Sequence, residues 1–111
     1  MSSVLPADLP SKVKEAIDDL KRMANNLGIR EAYLSGSYAR GDWLYESDLD
    51  LIIISDIFEG KHIGERFWIV KKLFKTHIPL DLLAYTSKEF DEAKGRSIIL
   101  QDMLKYAIRI I

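Results

Sequence analysis

Asp48 and Asp50 stand two residues apart in Ser47-Asp48-Leu49-Asp50-Leu51, at the mouth of an apolar segment. Residues i and i+2 of a strand project from the same face, roughly 6 to 7 Å apart along the backbone, so two carboxylates at this spacing can share a cation. Left ionised at the edge of an apolar sheet they cost free energy, or one of them takes up a proton. Asp81 interrupts the second dense apolar run, Ile78 to Tyr85, where an unpaired carboxylate has no structural purpose. If the segment between the two runs is a crossover helix, the runs become neighbouring parallel strands. Asp81 then lies about one strand spacing, roughly 4.8 Å, from the strand of Asp48 and Asp50. The chain has no cysteine, so a shared ion is held by oxygen. Three carboxylates suit a hard ion such as Mg2+, which keeps water and substrate phosphates in its shell. Two such ions activate an attacking oxygen and neutralise a leaving pyrophosphate, which makes Asp48, Asp50 and Asp81 the expected metal-binding and catalytic residues.

Gly36 and Ser37 fall on a turn ahead of these carboxylates. A residue without a side chain lets backbone amides approach phosphate oxygens, and the Ser37 hydroxyl adds a donor. If Ser37 to Arg40 opens a short helix, its first amides offer a further anion site. Arg40 either steadies a carboxylate, faces a phosphate, or makes a plain surface ion pair. Each signal is weak alone: Gly-Ser is commonly a turn, and Ser-Asp-Leu-Asp can be a turn or a cap. Their conjunction with Asp81 is what points to chemistry. Trp43 and Tyr45 between the motifs read as packing residues before base-stacking ones. His62 and His77 have no partner at metal spacing and read as a helix-start and a loop residue. Lys71, Lys72 and Lys75 read as a solvated face.

The elements that must position these residues follow from periodicity. Val13, Ile17, Leu20, Ala24 and Leu27 predict a helix from a Ser11 cap to Leu27, stopped by Gly28. Ile29–Ser35 reads as a strand, and Leu49–Ile54, apolar apart from Asp50, as a central strand covered on both faces. His62 to Lys75 is an amphipathic helix and Ile78–Tyr85 a third strand. Thr86 or Ser87 with Glu89 caps a helix that ends at Gly95. Ser97–Leu104 has helical spacing, and Tyr106–Ile111 is a candidate terminal strand. The expected class is α+β, a mixed sheet of three core strands plus that terminal strand, with helices packed mainly on one side.

A chain of 111 residues has room for one domain and one core, here residues 1–111 with a leader over 1–10. It is 48% hydrophobic and 30% charged, an ordinary globular balance. The net charge of -1 gives no basic field of the kind that drives binding to nucleic-acid backbones. The longest apolar run, Leu51 to Ile54, is far too short to span a membrane, and no basic-then-apolar leader opens the chain. A cytoplasmic protein is the expectation.

Gly36-Ser37-Tyr38-Ala39-Arg40-Gly41-Asp42, then Ser47-Asp48-Leu49-Asp50-Leu51, then Asp81, resembles the DNA polymerase beta-like nucleotidyltransferase superfamily. Within it the chain looks like the minimal nucleotidyltransferases, short proteins often paired with a HEPN-domain partner. The resemblance implies the nucleotidyltransferase fold, ATP as donor, Mg2+ bound by Asp48, Asp50 and Asp81, and a triphosphate held by Gly36 and Ser37. It further implies an antitoxin that transfers AMP to a tyrosine of a HEPN-domain toxin. The departure is the missing acceptor-binding domain, common to the minimal group, which leaves two alternatives open. One is transfer to a small molecule or an RNA end; the other is a non-catalytic module that neutralises a partner by contact. The oligomeric state is not written in these motifs.

Overall fold

The computed structural model describes residues 4–111, so positions 1–3 of the expected leader lie outside the described residues. Four strands form one sheet: Ile29–Ser35 (β1), Leu49–Ser55 (β2), Leu80–Tyr85 (β3) and Ile108–Arg109 (β4). Among the described residues five helices accompany them: Ser11–Met23 (α1), Gly36–Arg40 (α2), Ile63–Lys71 (α3), Ser87–Arg96 (α4) and Ile98–Tyr106 (α5), with a 3-10 turn at Asp56–Phe58. The strand order is β3-β2-β1-β4. β1 runs antiparallel to both β2 and β4, whereas β2 and β3 are parallel because α3 carries the chain across between them. The fold is therefore α+β with a mixed sheet, as expected.

β2 holds the sheet together. Leu49, Leu51 and Ile53 point into the larger core with Val13, Ala16, Ile17 and Leu20 of α1 and Val70 of α3. Ile52 and Ile54 point the other way, into a smaller core with Tyr33, Phe90 of α4 and Leu100 of α5. The period of two along a strand produces this division, and burying each such side chain is worth about 1.5 to 3 kcal/mol. The main core thus lies on the α1 and α3 side, and α4 and α5 add a second, thinner layer.

The element boundaries moved for identifiable reasons. Pro10, without a side-chain cap, occupies the N-cap of α1, and Ser11 is its first helical residue. The helix stops at Met23 because Asn25 and Asn26 are poor helix formers, and Gly28 closes the turn at φ 59°. α3 stops at Lys71, short of Lys75. Buried Asp19 accepts the Lys75 amide at 3.1 Å and pairs with Arg22, which pins the turn that replaces the last helical residues. Lys71, expected on a solvated face, is half-buried and donates to the Ile78 carbonyl. The terminal strand shrinks to two residues because α5 continues to Tyr106. His62 does start α3: its Nδ1 accepts from the Gly64 and Glu65 amides at 3.2 and 3.3 Å.

The α3–α4 corner is held by charge. Thr86 and Glu89 form a capping box at the head of α4. Arg66 of α3 donates to both Glu89 oxygens, at 2.6 and 3.1 Å, and to the Ala84 carbonyl at 3.1 Å. The Arg66 hydrogen bond is the main cause holding the Glu89 carboxyl down at about 2, with the Thr86 amide next.

Candidate active site

Parallel pairing of β2 with β3 places Asp50 directly across from Asp81. Antiparallel pairing of β1 with β2 places Ser35, the residue before Gly36, directly across from Asp50 on its other side. One rung of the sheet therefore carries both carboxylates and the start of the Gly-Ser turn, an arrangement that follows from register alone.

Gly36 and Asp50 are in intimate contact. Gly36 has φ 67°, a left-handed conformation that side chains disfavour. A Cβ built there would overlap the Asp50 carboxylate, with Asp50 Cγ only 2.7 Å away. Glycine is thus required twice at this position, by backbone conformation and by the space its neighbour occupies. α2 follows as a single turn, and no side chain caps its first amides. Buried Tyr38 of α2 donates its hydroxyl to the Ser47 carbonyl at 3.2 Å and packs on the Trp43 ring, 5.6 Å between centroids. That contact ties the Gly-Ser turn to the loop that delivers Asp48. Burial, then the charges of Asp48 and Asp50, raises the Tyr38 hydroxyl above its ordinary range.

The electrostatics mark Asp50 as the centre. Burial first, then the charge of Asp81 and a hydrogen bond shared with its carboxyl, then the charge of Asp48, push Asp50 up to about 6, against the pull of Arg40. Such a pair shares a proton or takes a cation. Gly36, Arg40, Asp50 and Asp81 line one open cleft of about 460 Å3. Arg40 also pairs with Asp42 at 3.2 Å on the surface, so the ion-pair and cleft-facing readings both describe it. Asp48 is exposed at the strand mouth, and Ser37 is half-buried in α2; neither is among the residues lining the cleft.

Asp81 is exposed, where the apolar run had suggested burial. β3 is the edge of the sheet, so one of its faces meets solvent at this point. Among the described residues, no three carboxylate or imidazole side chains stand close enough together to enclose an ion. A hard ion that keeps waters and substrate oxygens needs only one or two protein carboxylates, and the all-oxygen pair of Asp50 and Asp81 meets that requirement.

Sequence reasoning missed the cleft's third wall. Asp102, Met103 and Tyr106 of α5 line it together with the carboxylates. Tyr106 follows Asp102 by four residues and Met103 by three, so its ring shares a helical face with both, and this was the available signal. Trp43 is packed against the main core, while Tyr45 is 89% exposed with the Lys12 ammonium 5.5 Å from its ring centroid.

The chain is similar to known proteins in sequence and in fold. The family described as "Nucleotidyltransferase domain" matches residues 13–106. A candidate protein adenylyltransferase of Methanocaldococcus jannaschii is 42% identical over 45 residues, which is 40% of this chain and 44% of that protein. The match thus spans less than half the length of that relative. A crystal structure of a candidate nucleotidyltransferase from Sulfolobus solfataricus superposes with a TM-score of 0.55 at 21% identity, covering 78% of this chain and 85% of that one. A crystal structure of a toxin-antitoxin with AMP-PNP superposes with a TM-score of 0.62 at 16% identity, covering 86% of this chain and 72% of that one. Those two likenesses establish the fold. The family match runs from α1 to the end of α5 and takes in the whole carboxylate rung, so this chain belongs to the nucleotidyltransferase domain family.

Proposed function

We propose that this protein moves AMP from ATP to a hydroxyl of a partner protein, a tyrosine of a HEPN-domain toxin, and so acts in the cytoplasm as that toxin's antitoxin. The observation that carries the reading is the Asp50–Asp81 pair on one rung of the sheet, beside Gly36 and Arg40 in an open cleft. The relative described as a candidate protein adenylyltransferase, and the toxin-antitoxin with AMP-PNP, support the choice of acceptor and donor.

In this reading Asp50 and Asp81, with Asp48 at the strand mouth, would hold two Mg2+ ions together with water and phosphate oxygens, and the ions would supply charge neutralisation of the pyrophosphate and activation of the acceptor oxygen. Gly36 leaves room for Asp50 and brings backbone amides to the phosphates, Ser37 donates its hydroxyl, and Arg40 contributes positive charge. The acceptor oxygen bonds to the α-phosphorus as the bond to pyrophosphate breaks on the far side. The hydroxyl proton leaves to water at the edge of the sheet, where Asp81 meets solvent. A docked partner completes the acceptor side, because positioning supplies much of the rate in such a transfer.

The test is to incubate the purified HEPN-domain partner with ATP and Mg2+, with and without this protein, and measure its intact mass. The expected result is one added AMP on a tyrosine with wild type and none with Asp50→Asn. A partner that gains no mass yet is inhibited equally by both would instead establish neutralisation by contact.

A further inference from the structure

The cleft has two chemically different ends. Gly36, Arg40, Asp50 and Asp81 form a charged one, and α5 supplies the other through Asp102, Met103 and Tyr106. Tyr106 lies on the last turn of α5 and is 59% exposed, although a large aromatic ring is well suited to burial. Among the described residues no aromatic ring stacks on it. Met103, one turn back, packs against the smaller core, which fixes that part of the wall. Asp102 carries the wall's negative charge, only loosely met by Lys105 at 3.8 Å. A phosphate placed against it would be repelled, while at the charged end Arg40, with a cation held by Asp50 and Asp81, would attract phosphate. A cleft of about 460 Å3 is within the usual range for a small-molecule site, roughly 300 to 1,000 Å3.

We propose that Tyr106 is the stacking platform for the base of the donor nucleotide, that Met103 backs it, and that Asp102 sets the nucleotide's direction by keeping phosphates at the Gly36 and Arg40 end. The proposal rests on reading the cleft as a nucleotide site. It makes the end of α5, a surface helix outside the Gly-Ser and Asp motifs, the part of the chain that distinguishes a nucleotide from bare polyphosphate. The base contributes binding through its π-face, which needs a ring opposite it and not a hydrogen-bonding hydroxyl.

The test compares wild type, Tyr106→Ala and Tyr106→Phe by calorimetry in Mg2+, with two probes: a non-hydrolysable ATP analogue and inorganic tripolyphosphate. Tyr106→Ala is expected to weaken the analogue by about 5- to 150-fold, the range for stacking a base on an aromatic ring. Its affinity for tripolyphosphate should match wild type, which also reports that the variant is folded. Tyr106→Phe should bind both probes like wild type. A Tyr106→Ala variant that binds the analogue as wild type does, or loses both probes equally, overturns the proposal while leaving the nucleotide site standing. Wild type that binds neither probe overturns that site and this inference together.

Discussion

At the scale of single residues, the site depends on a glycine that leaves no spare volume. Gly36→Ala adds a Cβ at φ 67° that overlaps the Asp50 carboxylate. The left-handed backbone alone costs about 1 to 2 kcal/mol. Thermal unfolding should show at least that loss, and transfer activity should fall further because Asp50 must move. If the variant is as stable and active as wild type, the contact between these residues is not a constraint. Asp50→Asn makes the opposite prediction for stability. It removes a half-buried charge facing Asp81 and Asp48, so the metal-free variant should melt no lower than wild type. Activity should drop by at least about a hundredfold, the scale on which a preorganised electrostatic group acts. The juxtaposition of Asp50 and Asp81 was legible because strand spacing is regular and a carboxylate among apolar residues stands out, whereas the place of Asp48 outside the cleft was not. The exposure of Asp81 was not legible, since an edge strand and a central one can carry the same apolar run. Tyr38 was read only as part of a motif, because its link to Ser47 depends on how the intervening loop folds back.

Among the elements, the α3–α4 corner carries a pH dependence of its own. Arg66 holds the Glu89 carboxyl at about 2, below its ordinary 4.5. A depressed folded-state value stabilises the fold fully above about 4.5, and that contribution is lost as the pH falls towards about 2. The melting-temperature gap between wild type and Glu89→Gln should be widest at neutral pH, shrink below about 4.5 and close near 2. A gap independent of pH would mean that Glu89 acts through packing and not through charge. The Thr86-x-x-Glu89 box was readable in the sequence, since a capping box is local. Its pairing with Arg66 was not, because 23 residues separate them and only the return of the chain through β3 brings them together. The same holds for α5, whose helical spacing was readable while its position beside the carboxylates depended on the return of the chain to β4.

For the whole molecule, the order β3-β2-β1-β4 explains how two carboxylates and the Gly-Ser turn come to share one rung. The buried strand β2 carries Asp50, and its two neighbours bring Asp81 and the Gly36 turn to the same level. The carboxylate rung and the end of α5 form the walls of the cleft. The most direct measurement of the central claim offers the partner protein ATP labelled at either the α- or the γ-phosphate, with Mg2+, and follows label onto the partner. Label from the α-position alone, abolished by Asp50→Asn, is the predicted result. Label arriving from the γ-position, or α-label transferred equally well by Asp50→Asn, would contradict nucleotidyl transfer at this rung.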